Sequence, residues 1–154
     1  MDQDLTHRRA ILADVPTIIT LLLEDDLGQG RESLGDELLQ NYVNAFAKID
    51  ADPNHYLMVV EKDEEIVGTC HLTVMPSLSF TGATRMQIDA VRVAEKYRGQ
   101  GMGAWMMSAA LDYGRSKDIG IVQLTTNKQR PMAKQFYESL GFEASHEGMK
   151  LMLA

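Results

Sequence analysis

The spacing of apolar and polar residues along this chain of 154 residues changes period several times, and each change marks an element. Leu5–Ile11 reads as a short first strand. Asp14-Val15-Pro16 is a helix start, with proline in the first turn, where its missing N–H costs nothing. Ile18, Ile19, Leu21, Leu22 and Leu23 form the core side of that helix, and Gly28-Gln29-Gly30 breaks it. From Leu34 to Ile49 the apolar positions are 34, 38, 39, 42, 43, 46 and 49, the spacing of one face of an amphipathic helix. After the turn Asp52-Pro53-Asn54 the period drops to two. Tyr56–Val60 and Ile66–Val74 are strands of a hairpin closed by the polar Lys62-Asp63-Glu64-Glu65. Met75–Gly82 is a loop and Thr84–Val93 a long strand. A helix over Ala104–Asp118 follows, then a strand over Ile121–Thr126 and a short helix containing Ala133–Phe142. A last hairpin is expected around Phe142–Ser145 and Met149–Leu153. This order predicts a single α/β domain over residues 1–154, built on a mixed sheet.

The most informative residues lie where the long strand meets its helix. Arg98-Gly99-Gln100-Gly101-Met102-Gly103 is a glycine-rich turn leading into a helix N-terminus. Glycines let the backbone approach an anion, and the first N–H groups of the helix, aided by its dipole, point at it. Such turns also join strands to helices for purely structural reasons, so the spacing alone leaves both readings open. A Walker loop would need Gly-Lys-Ser/Thr, and Ala104-Trp105 stands there instead. A dinucleotide fingerprint belongs in the first strand–helix unit, with an acidic residue about twenty positions on at a strand end. Here the motif lies in the second half of the chain, and Asp118 lies in a turn.

A second segment sharpens the reading. Asn127, then Ala133-x-x-Phe136-Tyr137-x-x-x-Gly141-Phe142, follows the glycine turn at a fixed distance. With both segments in place the chain resembles the GNAT N-acetyltransferase superfamily, as a small bacterial-type single-domain member. Arg98–Gly103 is similar to that family's Arg/Gln-x-x-Gly-x-Gly/Ala pyrophosphate loop at every defined position, and the second segment is similar to its other acetyl-CoA segment. The resemblance implies a central, mostly antiparallel twisted sheet of six to seven strands with about four helices. Acetyl-CoA would be the co-substrate, seated where two neighbouring strands splay apart. It also implies that Arg98, Gly99, Gln100, Gly101, Met102, Gly103 and Ala104 hold the pyrophosphate. Val91 and Val93 would pair with pantetheine through their backbones, as an added strand would. Asn127 would bond the pantetheine arm, and Tyr137 would lie near the sulfur. Lys128, Arg130 and Lys134 are weaker candidates for the nucleotide phosphates.

Acetyl transfer from a thioester to an amine requires a base for the amine, stabilisation of an oxyanion and an acid for the thiolate. The resemblance makes Tyr137 the acid; from the residues alone, Phe136 and Tyr137 fit core aromatics equally well. The base should lie on the strand before the glycine turn, where period-2 alternation puts Arg85, Gln87, Asp89, Val91 and Val93 on one face. Asp89 is a carboxylate in an apolar stretch, and a buried carboxylate needs a partner or a task. It is the candidate base, directly or through water, with His71 on the adjacent strand as the second candidate. Gln87, where some relatives place a glutamate, cannot take a proton.

Composition narrows the setting. The net charge is −7, unevenly spread: residues 1–91 carry 6 basic and 16 acidic side chains, whereas residues 92–134 carry 8 and 3. The proposed site for polyanionic coenzyme A thus falls in the one basic segment, and the acidic remainder suits a cationic amine. An acidic chain without basic runs argues against nucleic-acid binding, and no run of eighteen apolar residues suggests a membrane span. Cys70 is the only cysteine, and the four histidines show no metal-ligand spacing, so no metal is expected. The N-terminus lacks the features of a signal peptide, making cytoplasmic the default. Glu24-Asp25-Asp26 is placed by the resemblance near the acceptor pocket. Asp52-Pro53-Asn54 and Thr125-Thr126-Asn127-Lys128-Gln129-Arg130 are similar to segments of the family's aminoalkylphosphonate and glucosamine-6-phosphate branches, which implies that Arg31 and Arg85 would meet an acceptor's phosphonate or phosphate. The expectation is an N-acetyltransferase acting on the primary amine of a small molecule by direct attack in a ternary complex. A protein or peptide N-acetyltransferase, or a non-catalytic acyl-CoA sensor on the same fold, is the alternative. The apolar run near Met149–Leu153 is compatible with a homodimer.

Overall fold

Alternation of apolar and polar residues builds five strands in the computed structural model, which describes residues 4–24 and 26–154, with Asp26 and Glu37 described by backbone only. The strands are β1 (Thr6–Arg9), β2 (His55–Lys62), β3 (Glu65–Met75), β4 (Arg85–Val93) and β5 (Ile121–Gln123). They lie in sequence order in one sheet. β1 to β4 pair antiparallel, and β5 joins β4 in parallel. The helices are α1 (Val15–Leu23), the single turn α2 (Asp26–Gln29), α3 (Asp36–Ala51), the short α4 (Ser79–Gly82), α5 (Met102–Ser116) and α6 (Pro131–Ser139). The mixed α/β fold is as expected. The strand count is five among the described residues rather than six to seven, and six helical segments replace about four.

The chain forms one compact unit ending at Gln123 and a smaller one from Leu124. In the first unit the sheet is covered on both faces. α5 packs against β3 and β4 and brings Met102, Met106, Met107 and Ala110 to the face of Met58, Cys70, Leu72, Met86 and Ile88, all buried. The Cβ positions at Gly68 and Gly114 meet Met106 and Met86 at 3.5 and 3.1 Å, so the helix sits close on this face. On the other face Ala10, Val15, Ile18, Ile19, Phe46 and Val59 form a second core, completed by Leu22, Tyr42 and Leu57. Asp63 and Glu64, at φ 51° and 67°, close the β2–β3 hairpin in a primed turn that matches the strand twist.

In the second unit, α6 is the one regular element among the described residues. The final hairpin does not form: residues 142–154 carry no strand, and Met149, Leu151, Met152 and Leu153 are 80–92% exposed. Strand propensity supplies no ladder partner, and a two-stranded hairpin without a third strand is marginal in water. β5 likewise stops at Gln123 rather than Thr126.

One buried ion pair fastens β1 to the entry of α1. Asp14 is buried, and its carboxylate accepts Arg8 Nη1 at 2.7 Å, Arg8 Nη2 at 3.1 Å and the Ile11 amide at 2.8 Å. Arg8 Nε also donates to Glu61 of β2 at 3.0 Å. The Arg8 guanidinium holds the Asp14 carboxyl below its ordinary value of 3.8. A depressed carboxylate contributes stability that is present above 3.8 and lost as the pH falls through the folded value. Asp14→Ala should therefore cost about 2–3 kcal/mol at neutral pH and lose part of the acid sensitivity of the parent. Urea denaturation at pH 7 and pH 3 checks this; an equal deficit at both pH values would rule the ion pair out as its source.

Candidate active site

β4 contains one residue too many for its ladder. His71 pairs with Asp89 and Thr69 with Arg92, so Cys70 faces both Ala90 and Val91. Ala90 takes φ 53°, the left-handed region, and forms a β-bulge. Bulging shifts the alternation by one: Arg85, Gln87 and Asp89 share a face, and beyond the bulge Arg92 joins it in place of Val91 and Val93. The expectation that Val91 and Val93 lie on the face of Asp89 is corrected accordingly. Their backbone groups follow from the ladder. The Ala94 amide donates to Val67 of β3 at 2.8 Å, and residues of a ladder turn their backbone groups to alternate edges. Val93 and Val91 therefore turn theirs away from β3.

That edge is open. β5 pairs with β4 only over Arg85–Gln87, so beyond Gln87 no strand among the described residues covers it. The Val91 carbonyl accepts Arg92 Nη1 at 2.8 Å and the Val93 carbonyl accepts Arg98 Nε at 3.1 Å. Arg98 thus ties the glycine turn back to the strand. Gly99 and Gly101 stand at φ 78° and 82°; nothing crowds a Cβ at Gly99, so backbone conformation rather than space demands glycine there. Gly101 is the N-cap of α5 and has no capping side chain. The first helical bond runs from the Trp105 amide to the Gly101 carbonyl, 3.1 Å, which leaves Met102, Gly103 and Ala104 as the amides that open the helix. Gln100 donates to the Lys96 carbonyl at 3.2 Å.

The face of Asp89 is polar and wired together. Ser79 Oγ accepts Arg85 Nη2 at 2.7 Å, and Arg85 Nη1 donates to Gln123 Oε1 at 3.2 Å. Gln123 Nε2 then donates to Gln87 Oε1 at 2.9 Å, and Gln87 Nε2 to Asp89 Oδ1 at 3.3 Å. Arg85 is also stacked on the Phe80 ring, 5.2 Å from its centroid. Phe80, Thr81 and Gly82 form a left-handed turn at φ 53°, 60° and 76°, an arrangement that costs about 1–2 kcal/mol for each non-glycine residue. Asp89 is exposed rather than buried, which corrects the reading of it as a core carboxylate: it sits at the open end of this polar row. His71, directly across from it, is mostly buried, and burial pulls its pKa below 6.5, helped by His55, with Asp89 opposing.

Other candidates are placed apart from this row. Glu24 Oε1 accepts the Glu95 amide at 3.2 Å, at the Val93 end of β4. There it lines a cleft of about 510 Å³ with Thr17, Thr20, Ile66 and Ala94. That cleft lies away from Asp89, and its Glu65 is taken up by Lys96 and Tyr97. Arg31 is exposed and donates to the Leu27 carbonyl at 3.0 Å. Asp25 lies outside the described residues. No group of three or more His, Cys, Asp or Glu among them is arranged to hold a metal, and no helix among them is long and apolar enough to cross a membrane.

In the second unit Asn127 Oδ1 accepts the Gln129 amide at 2.8 Å and its carbonyl accepts the Arg130 amide at 2.9 Å, a turn that starts α6 with Pro131. Tyr137 is half-buried on α6, edge-on to Phe136 and Phe142 at centroid distances of 5.3 and 6.0 Å. Its carbonyl accepts the amides of Leu140 and Phe142, closing the helix at Gly141, φ 101°.

Comparison with known proteins gives this geometry a context. Residues 18–142 match the model of the acetyltransferase (GNAT) family. A transcriptional regulator from Bacillus halodurans C-125 has a crystal structure that superposes with a TM-score of 0.93 at 40% identity, covering 97% of this chain and 99% of that one. Aminoalkylphosphonate N-acetyltransferase of Salmonella typhimurium is 26% identical over 140 residues, 90% of this chain and 85% of that protein. Glucosamine 6-phosphate N-acetyltransferase of Trypanosoma brucei brucei is 33% identical over 88 residues, 57% of this chain; the match spans 58% of that protein's length.

The bulge is testable without any ligand. Ala90→Gly should be as stable as the parent or gain up to about 1 kcal/mol, because glycine relieves the left-handed strain at the cost of chain entropy. Ala90→Val should lose about 2 kcal/mol, since a β-branched residue is worst at positive φ. Equal urea midpoints for the glycine and valine variants would mean that β4 is not bulged at this residue.

Proposed function

Because the chain belongs to the GNAT acetyltransferase family, we propose that it is an N-acetyltransferase that moves the acetyl group of acetyl-CoA to the primary amine of a small molecule. The observation that carries this reading is the open edge of β4 running into the glycine turn. Backbone groups of Val91 and Val93 line that edge, and the amides of Gly99 to Ala104 follow it. An extended pantetheine arm pairs with such an edge as a strand would, and a pyrophosphate suits the amides at a helix start. In this reading Arg98 adds positive charge, exchanging its bond with the Val93 carbonyl for the phosphates. Asn127 contributes its side-chain amide to the pantetheine arm.

Both substrates bind together, and the amine attacks the thioester carbonyl directly. The C–N bond forms, the C–S bond breaks, and the Tyr137 hydroxyl protonates the departing thiolate. The acceptor amine approaches the Asp89–His71 row, where the carboxylate attracts the ammonium and the amine loses its proton. Arg85 lies two rungs away on the same face and is held by Ser79 and Gln123. An acceptor with an anionic group beyond its amine matches this separation of charges. The relatives described as glucosamine 6-phosphate and aminoalkylphosphonate N-acetyltransferases support that class. A cytoplasmic setting and pairing of two copies through the exposed Met149–Leu153 run belong to the same proposal.

The structural relative described as a transcriptional regulator favours one second reading, a domain that binds acyl-CoA without turnover. Release of coenzyme A thiol, measured against amino sugar phosphates, aminoalkylphosphonates, polyamines, amino acids and short peptides, separates the two. Turnover with an amine carrying phosphate or phosphonate is the expected outcome. Acetyl-CoA that raises the melting temperature but is not consumed with any amine would favour the binding domain. In an active enzyme Tyr137→Phe should lower kcat by about a hundredfold while the affinity for acetyl-CoA changes less than about threefold. An unchanged kcat would remove Tyr137 as the acid.

A further inference from the structure

Acetylation of an amine leaves one proton to dispose of. A primary ammonium has three N–H bonds and the product amide has one; the thiol keeps one of the two protons released, and the other must reach solvent each turnover. The polar row offers a path for it. His71 Nε2 lies 2.8 Å from His55 Nδ1, with the two rings 5.0 Å apart and tilted by 41°. His55 Nε2 lies 3.6 Å from Asp52 Oδ2. Exposure rises along this line: His71 is mostly buried, the His55 side chain is 26% exposed and that of Asp52 45%.

The line is held from several sides. Asp52 Oδ1 accepts the Asn54 amide at 2.9 Å, and the Asn54 carbonyl accepts the Val74 amide at 2.7 Å. Arg9 donates to the His55 carbonyl, and Thr73 Oγ1 is 3.4 Å from His55 Nδ1. Asp89 from β4 and His55 from β2 act on His71, Arg92 of β4 lies on the same face, and Asp52 from the turn before β2 meets His55. α1, which packs on β3 and β4, has no charged residue from Val15 to Leu23, and α5 covers the opposite face.

We propose that His71, His55 and Asp52 form a proton exit route, in which His55 is a positioning and relay residue for the acyl transfer proposed above. The amine proton leaves its nitrogen and bonds to His71 Nδ1. The His71 Nε2–H bond breaks as the His55 Nδ1–H bond forms, and the proton on His55 Nε2 passes to Asp52 or to water. Ring tautomers then reset for the next turnover. Burial keeps His71 neutral at pH 7 and ready to accept a proton. The route rests on the acetyltransferase reading, but the coupling of the two imidazoles does not.

The two levels are tested separately. NMR titration of the histidine rings in the full chain needs no acceptor. The expected result is that His71 takes up its proton below the ordinary histidine value of 6.5 and that His55→Ala moves this uptake to higher pH. A His71 curve that His55→Ala leaves unmoved would overturn the relay even in an active enzyme. With an acceptor in hand, His55→Ala should lower kcat by about tenfold or more at pH 7, leave both KM values within about twofold, and regain turnover when imidazole is added. Loss without rescue by imidazole and without a changed pH profile would mean that His55 acts as scaffold only. If no amine is turned over, the acetyltransferase reading and the route fall together, while the His71 titration still decides the coupling of the two rings.

Discussion

The two surfaces that β4 offers are set apart by one surplus residue. A regular β4 would keep Val91 and Val93 in step with Asp89, on a strand paired on both edges. Ala90, held at φ 53°, breaks that regularity. The shift brings Arg92 onto the face of Asp89, and it turns the end of β4 while β5 leaves the ladder at Gln87. The strand thereby has two separate surfaces to offer: an edge of backbone groups and a face of polar side chains. A bulge costs local strain and an unpaired rung, and such features persist where the rest of the fold over-determines them. Here the close seat of Met106 on Gly68 and the Ala94–Val67 bond pin β4 on the far side of the bulge.

Placing a polar row on a sheet face that also carries a core requires that each polar group be satisfied locally. The chain from Ser79 through Arg85, Gln123 and Gln87 to Asp89 does this, each side chain giving or taking a bond from the next. Orientation is thereby fixed along the row, and a change at one end is felt at the other. The left-handed turn Phe80-Thr81-Gly82 has a use in this context. It holds the Phe80 ring under Arg85 and Ser79 against its guanidinium, so strain stored in the β3–β4 connection aims a charge. The histidine pair behaves differently. Its two rings share one hydrogen bond, whose donor and acceptor are set by the ring tautomers rather than by fixed chemistry.

Elements with a strong period were legible from the sequence. α1, α3, α5 and the β2–β3 hairpin lie within two or three residues of where apolar spacing puts them, because burial of one face sets both the spacing and the element. The glycine turn was also legible, since positive φ at Gly99 and Gly101 is a demand that sequence records directly. The bulge was not. Ala90 carries no mark of a left-handed residue, and its conformation is imposed by how β3 and α5 hold the strand on either side. Counting by twos across it misplaced Val91 and Val93, and the apolar stretch around Asp89 made that carboxylate look buried. The last hairpin failed for the complementary reason: alternation in Met149–Leu153 states a preference, and a ladder needs a partner that preference cannot supply. His55 was missed because it stands sixteen residues from His71. Only the register of β2 against β3 brings the two together.

This contrast bears on which half of the chemistry a sequence discloses. A cofactor held through backbone amides leaves its trace as glycines at fixed spacing, since the backbone itself has no side-chain code. The polar row is assembled from side chains of β2, β3, β4 and β5, of the turn before β2 and of the loop before β4. Each is ordinary in its own stretch of chain. Their meaning lies in the register that aligns His55 with Thr73 and Gln87, and His71 with Asp89. The glycine turn is therefore written locally and the polar row non-locally. A substitution that slips β3 against β4 by one residue would turn the histidines to the opposite face and scatter the polar row, while the glycine turn and the helix it opens stayed as they are.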